Sequence, residues 1–486
     1  MTGSTAIPAN LGPQAIEHLV VLMLENRSFD LVLGTLYPAS PSFDGLTDVM
    51  GNADSAGDPL LVGPAPGTIT DPDPHHDLAS VVEQLTGPNQ GFIVNYEGRL
   101  GPGQWPLRRQ VLDYATETTM PVLWRLAREY AVSDRWFCSV PAETWPNRLF
   151  VHCGTSLGKV SDRPWRWLPP SLYPATSIFA RLGPELSAWA CYNDQLPNML
   201  LVEELADEYL RSRDAPDSHF RSIAQFEGDC ANAKLPRYSF IEPNYLFAEA
   251  NDDHPPHDLR AGEQLISRIY TALRRSPLWS KSALLILYDE HGGFFDHVPP
   301  PHDVLALAID PGLASEHGFA FTRLGPRVPC LLISAWTEKG SVFRPPDGAF
   351  FDHTSVIASL QARWPELGPP LTARVAAAAT IWPALTRSSA REDDGELPEE
   401  ISAILARRAP AGGAPTPTAP RARGGGRGAL AYALKARLVG VPLVRCRPGF
   451  IRRTGMHRSM SILGLLVGLR SLRRPHSTFT PPDVRR

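Results

Sequence analysis

The chain has 486 residues, 43% of them hydrophobic and 20% charged, with 47 Lys and Arg against 51 Asp and Glu. That length suits one large α/β enzyme domain or two to three average ones, and the apolar content excludes a wholly disordered chain. No apolar run approaches the ~20 residues of a membrane-spanning helix, and the first fifteen residues lack the basic and apolar blocks of a secretory signal. The expected location is therefore the cytoplasm or a membrane surface.

Charge is unevenly placed. From Arg407 to Arg486 there are 17 Lys and Arg against one acid, Asp483, which leaves the rest of the chain with 30 basic and 50 acidic residues. An acidic body repels phosphates, so no nucleic-acid partner is expected. A pocket in that body that handles phosphate needs a metal or local cations to invert the field. The six cysteines, at 138, 153, 191, 230, 330 and 446, form no CxxC pair, which argues against a zinc ribbon or a disulfide framework.

In chain order, residues 17–24 (EHLVVLML) read as a buried strand that runs into Glu25-Asn26-Arg27-Ser28-Phe29-Asp30. His75-His76 follow in a Pro- and Asp-rich loop. Met120 to Ala131 reads as a helix opening at Pro121. In Pro141-Ala142-Glu143-Thr144-Trp145-Pro146-Asn147-Arg148, Pro146 suits an early helical position and puts Thr144 at or just before a helix start. RYSFIE (237–242) reads as a second strand, and residues 259–273 as a helix with Leu259, Leu265, Ile266, Ile269, Tyr270 and Leu273 on one face. ALLILY (283–288) is a third strand, running into Asp289-Glu290-His291-Gly292-Gly293, and VPCLLISAW (328–336) a fourth. Near-continuous apolar strands alternating with helices imply a mostly parallel sheet covered on both faces, whose ligand sites gather at the carboxyl ends of the strands. The catalytic domain is expected over 1–400. Residues 401–428, richest in Pro, Gly and Ala from 409, read as a flexible linker, and 429–486 as a basic, partly apolar tail. That tail reads either as a poorly ordered segment, which its prolines and glycines favour, or as a basic amphipathic helix on a membrane surface.

Two strands thus end in oxygen donors. Glu25, Asn26, Asp289 and Glu290 offer the carboxylate and amide oxygens that hard divalent cations prefer. Taken singly, each pair is equally well a cap or a solvated turn; two such ends in one sheet point to a site. Thr144 is by itself an ordinary N-cap, though a hydroxyl at a helix start is also well placed as a nucleophile. Arg148, one turn on, suits a phosphate or a surface acid. The string Asn251-Asp252-Asp253-His254-Pro255-Pro256-His257-Asp258 sets two imidazoles among three carboxylates ahead of the 259–273 helix. Imidazoles there can protonate a leaving oxygen or neutralise a phosphate.

ENRSFD (25–30), VPAETWPNR (140–148), ANDDHPPHD (250–258), YDEHGGFFDHVPPP (288–301) and FDHTSVIASL (351–360) resemble the bacterial phospholipase C and plant non-specific phospholipase C family, which includes an acid phosphatase branch. The likeness extends over roughly residues 16–365. It implies an alkaline-phosphatase-like three-layer α/β/α sandwich with a mostly parallel central sheet, and phosphoester hydrolysis through a hydroxyl beside one or more divalent metals (calcium, magnesium, manganese or zinc). It implies Glu25, Asn26, Asp289 and Glu290 as metal ligands and Thr144 as the nucleophile. His76, His254 and His257 become catalytic candidates, and Arg148, His291 and His353 phosphate-binding ones. Two departures bear on the pocket: Leu31 stands where members commonly carry histidine, and Phe321-Thr322-Arg323-Leu324-Gly325 replaces the usual Phe-Asp-Arg-Leu-Gly.

The resulting expectation is a phospholipase C acting on phosphatidylcholine-type lipids, with peripheral membrane contact through the tail. A pocket of Trp105, Trp145, Phe294 and Phe295 would admit a choline-like head group. The alternatives are a phosphomonoesterase on the same scaffold and a non-catalytic protein that binds anionic surfaces through its basic tail.

Overall fold

Six apolar residues in succession, with no proline and no acid, follow His18 in His18–Leu24 and Ser282 in Ser282–Tyr288 and give both their strand conformation, and all but His18 are buried. In the computed structural model these two lie at the centre of an eight-stranded sheet. Its order is Ser341–Val342, Ala131–Ser133, Cys330–Ser334, Ser282–Tyr288, His18–Leu24, Tyr238–Ile241, Trp189–Tyr192 and Phe220–Arg221. Five neighbouring pairs are parallel. The expected strand at 328–336 is present as Cys330–Ser334 but runs antiparallel to both its neighbours, so the sheet is mixed at that position. The structure describes residues 12–162, 175–302 and 315–401, without 214, 247–248, 348, 393–394 and 399–400. All of these belong to one unit, made of Met1–Arg163 and Leu172–Thr416. Apart from Ile401, the expected linker (401–428) and tail (429–486) lie outside the described residues.

Ring contacts fix the layers. Side chains three apart on a strand face opposite ways. Trp189 meets Phe179 of helix Ile178–Leu182, with ring centres 4.8 Å apart, whereas Tyr192 meets Phe226 of helix Ile223–Ala231 at 5.1 Å. Phe240, in register with Cys191 and hence on the Trp189 face, packs on His152 of helix Thr144–Cys153 at 4.7 Å. On the other face, helices Ile223–Ala231, Leu259–Arg274 and Pro121–Glu129 pack side by side. The chain is therefore an α/β/α sandwich, with helix Thr144–Cys153 on one face and helix Leu259–Arg274 on the other. The strands that sequence pattern passed over, 131–133, 189–192, 220–221 and 341–342, are two to four residues long, too short to carry a period.

Helix Leu259–Arg274 buries Leu259, Leu265, Ile266, Ile269, Tyr270 and Leu273, as its spacing predicts, together with Glu263, which is fully buried. Glu263 accepts the backbone N–H of Leu123 at 3.1 Å and that of Val122, so one helix caps the first turn of another. Burial drives the Glu263 carboxyl up to about 8, against the two N–H donors that favour its charge. A folded-state value above the unfolded one means stability that is complete below about 4.5 and lost as pH rises through about 8. Glu263→Gln, which keeps an acceptor and cannot ionise, is therefore expected to gain stability relative to the parent chain across that interval. Urea midpoints of both proteins at several pH values check it; a constant difference sinks the assignment.

Candidate active site

The parallel register of the two central strands pairs Leu24 with Tyr288, so residues 25–26 and 289–290 leave the sheet side by side at its carboxyl end. Asn26 turns back at φ +60°, a conformation asparagine tolerates better than most residues, and its backbone N–H donates to Asp289 Oδ1 at 3.0 Å. Gly292 completes the cradle at φ +66°, where a Cβ would lie 2.2 Å from the Asn26 carbonyl oxygen. From the next layer, helix Thr144–Cys153 starts at Thr144, and the threonine Oγ1 donates to Asn26 Oδ1 at 3.4 Å. The Glu25 N–H donates to the Asp252 carbonyl at 2.7 Å, which ties the 251–258 string to the same strand end. Six of the residues singled out from the sequence, Glu25, Asn26, Asp289, Glu290, Thr144 and His76, thus come to one place.

Arg148 is turned inward. It is 1% exposed and lies between the two strand ends, with Nη2 3.3 Å from Glu25 Oε1 and Nε 3.2 Å from Asp289 Oδ2. Burial opposes its charge, but Tyr245, Asp289, Glu25 and Glu242 outweigh that and hold it above the ordinary arginine value. Asp289 and Glu290 are adjacent buried carboxyls. Burial raises Asp289 despite Arg148, while His76 and His291 hold Glu290 below the usual range against the same burial. Burial also works against a charged His76, yet Glu290, Asp73 and Glu143 raise it to about 9. The His76 Nδ1–H donates to the Pro74 carbonyl at 3.0 Å, and Nε2 lies 3.3 Å from Asn26 Nδ2.

The other histidines divide into two groups. His254 and His257 sit at the rim: the His254 ring stands edge-on to His76 at 5.8 Å, and His257 Nδ1 bonds Asp252 Oδ1 at 2.6 Å. His291 and His353, expected at phosphate, have their nitrogens engaged inside the protein. His291 Nε2 bonds Gln84 Oε1 at 2.8 Å, and its Nδ1 lies 3.2 Å from Glu290. His353 Nδ1 accepts from Trp136 Nε1 at 3.3 Å, and its Nε2–H donates to the Asp289 carbonyl at 2.6 Å. Burial lowers His353 to about 4, so it is neutral and braces the Asp289 strand end. Arg148, the third expected phosphate ligand, likewise serves the two carboxylates. The four expected pocket aromatics do not form a cage: Trp105 is 45% exposed beside Arg108, Phe294 underlies Arg27 and Phe295 packs on Phe92.

Sequence reading missed several supports. Asn198 Nδ2 donates to Glu25 Oε1 at 3.2 Å. Glu242, at the end of strand Tyr238–Ile241, accepts the N–H groups of Asn198 and Met199 and the Tyr245 hydroxyl. A carboxylate at the end of a third predicted strand was the available signal for Glu242; Asn198 had none. Glu143 and Asp162 flank Thr144, with Asp162 Oδ1 accepting the Trp145 N–H at 2.8 Å and Glu143 Oε2 accepting the Asp162 N–H at 2.8 Å.

Among the described residues no three His, Cys, Asp or Glu side chains are arranged to hold a metal ion. The oxygen set nevertheless fits a hard cation: Glu290 Oε1 is buried with no hydrogen-bond partner among the described residues, and amide and hydroxyl oxygens are at hand on Asn26 and Thr144. Glu25 and Asp289 are engaged by Arg148.

Residues 16–365 match the profile of the Phosphoesterase family. The chain belongs to that family. It is 36% identical over 411 residues to non-specific phospholipase C1 of Arabidopsis thaliana, covering 80% of this chain and 75% of the relative. It is 30% identical over 406 residues to phospholipase C B of Mycobacterium tuberculosis, covering 74% and 75%. Among solved structures, the lipoteichoic acid synthase LtaP of Listeria monocytogenes superposes with a TM-score of 0.34 at 10% identity, covering 75% of this chain and 78% of that one. This phosphoesterase is a phosphoric-ester hydrolase, and no described helix is long and apolar enough to cross a membrane.

Breaking a buried ion pair from one side costs about 3–5 kcal/mol because the partner charge is left uncompensated. Arg148→Leu in the phosphoesterase strands two carboxylates and is expected to lower unfolding free energy by at least that amount. Denaturant titration measures it, and a loss below about 1 kcal/mol would show that the two carboxylates do not depend on the guanidinium.

Proposed function

We propose that the phosphoesterase is a metal-dependent phospholipase C that cleaves phosphatidylcholine-type glycerophospholipids, with Thr144 as nucleophile. The observation that carries the reading is the Thr144 hydroxyl 3.4 Å from Asn26 Oδ1, at the junction of two acidic strand ends. Glu290 and Asn26, with Glu25 and Asp289 behind them, are the residues that would hold a divalent cation. When bound, such a cation supplies stabilisation of negative charge on the attacking and non-bridging oxygens.

Thr144 gives its hydroxyl proton to solvent, and its Oγ forms a bond to phosphorus as the bond from phosphorus to the diacylglycerol oxygen breaks. Asn26 orients the hydroxyl. His76, held charged at neutral pH by its acidic neighbours, offers its Nε2 proton to a phosphoryl oxygen. His257 is held by Asp252, and a histidine of the 254/257 pair delivers the proton to the leaving oxygen. The same group then takes a proton from water, whose oxygen bonds phosphorus as the threonine–phosphorus bond breaks; Thr144 Oγ regains a proton from solvent and the phosphorylated head group leaves. The names of the relatives and the donor set at the strand ends support this reading.

Thr144→Ala is expected to lower turnover of p-nitrophenyl phosphorylcholine at least about a thousandfold with the fold intact. Chelation should abolish turnover, and a divalent ion restore it. Faster hydrolysis of p-nitrophenyl phosphate than of the phosphocholine ester would move the protein to the phosphomonoesterase alternative. Vesicle binding without turnover, unaffected by Thr144→Ala, would leave only a surface-binding protein. The +16 balance of residues 407–486 would supply contact with anionic lipid. Their deletion is expected to weaken binding to anionic vesicles while leaving turnover of soluble ester unchanged, and equal vesicle binding rejects that role.

A further inference from the structure

One residue past Asn26, Arg27 carries a guanidinium that the catalytic reading does not use. The residue is 1% exposed, and Nε, Nη1 and Nη2 all lack a hydrogen-bond partner among the described residues. A buried cation left in that state is costly, so its surroundings call for explanation. Burial pulls Arg27 below the ordinary arginine value; Asp253, Tyr288, Asp73 and Asp252 raise it only through space. The guanidinium plane rests on the Phe294 ring, 4.7 Å from its centre, which supports one face and leaves the donor edge unused.

That side chain lines a cavity of about 400 Å³, counting its open mouth, with Leu31, Thr68, Thr70, Gln110 and Asp113 among the other walls. Most of that volume is open to solvent, and the enclosed part is small, on the order of two waters, too little for an acyl chain. Its polar groups are arranged around Arg27. The Gln110 amide meets the Tyr96 hydroxyl at 3.0 Å, and that hydroxyl donates to the Pro72 carbonyl at 2.7 Å. Asp113 pairs with Arg109 at 3.3 Å, and burial raises its carboxyl to about 6 against that partner. The Leu259 N–H donates to the Thr68 carbonyl at 3.1 Å and pins the 65–70 loop to the helix behind it. Leu31, where this chain departs from the family's histidine, makes one wall apolar.

We propose that this cavity binds a small phosphoryl oxyanion, with Arg27 as its charged donor. A planar fork of N–H groups matches two oxygens of a tetrahedral anion. The site does not depend on Thr144 chemistry, so it stands or falls separately from the phospholipase reading.

Calorimetric titration of the full-length, chelator-treated protein with inorganic phosphate and, separately, with phosphocholine tests it. The parent chain is expected to bind phosphate saturably, and Arg27→Met to bind at least tenfold more weakly. Without ligand, Arg27→Met should melt at the same temperature or higher, because it removes an unpaired buried charge while still covering Phe294. Ala65→Trp plugs the mouth and keeps Arg27, and should lose binding to a similar degree; it decides the matter if Arg27→Met does not fold. Binding of both ligands identifies a head-group subsite, and binding of phosphate alone a free-anion site; either supports the cavity. Absence of phosphate binding by the parent chain, or equal affinity in the parent and Ala65→Trp, overturns the proposal, whatever the turnover of p-nitrophenyl phosphorylcholine.

Discussion

The parallel, residue-for-residue pairing of His18–Leu24 with Ser282–Tyr288 is the constraint on which the rest of the molecule depends. Parallel strands in register end at the same level, so two acidic termini separated by more than 260 residues of chain are forced together, locked by the Asn26 N–H to Asp289 hydrogen bond. A slip of one residue would reverse the side chains of one strand and separate the donors. The six buried apolar residues on each of Ser282–Tyr288 and His18–Leu24 make such a slip prohibitively costly.

Concentrating carboxylates at a dry strand end creates a charge problem that the protein answers with two fixed cations. Arg148 reaches from the layer on one face to lie between Glu25 and Asp289, and His76 faces Glu290 from the loop above. A second buried network lies beneath: Arg327 donates to Asp30 and Asp296 at 2.8 Å each, and His297 bonds Asp30 at 2.7 Å. It holds the end of the ENRSFD segment against the loop that follows the two glycines. Glu290 Oε1, by contrast, has no hydrogen-bond partner among the described residues.

Much of the scaffold was legible in the amino-acid string. The four long apolar runs became strands, and the apolar stripe of 259–273 became the buried face of a helix, because these are periodic signals summed over many residues. The strands of two to four residues carried no such signal and exist only because a neighbour's edge is there to pair with. The direction of Cys330–Ser334 was equally invisible, since a buried strand has the same composition in either sense. In the site, Thr144 was placed at a helix start from Pro146 alone, yet its closeness to Asn26 is a fact of layer packing. His291, His353 and Arg148 were read as ligands because their types suit phosphate. Their partners, Gln84, Trp136 and the Glu25–Asp289 pair, turn them inward, and most of those partners are distant in the chain.

By itself, then, the order of residues determined the strand cores, the chemistry available at each strand end and the split between an acidic body and a basic tail, since these depend on local composition and short-range period. Only the tertiary structure decided which of the polar groups face one another, which are used up in holding the frame, and that Arg27 ends buried beside a cavity with its donors unspent. Those outcomes depend on distances between segments far apart in the chain, and no local pattern encodes a distance of that kind.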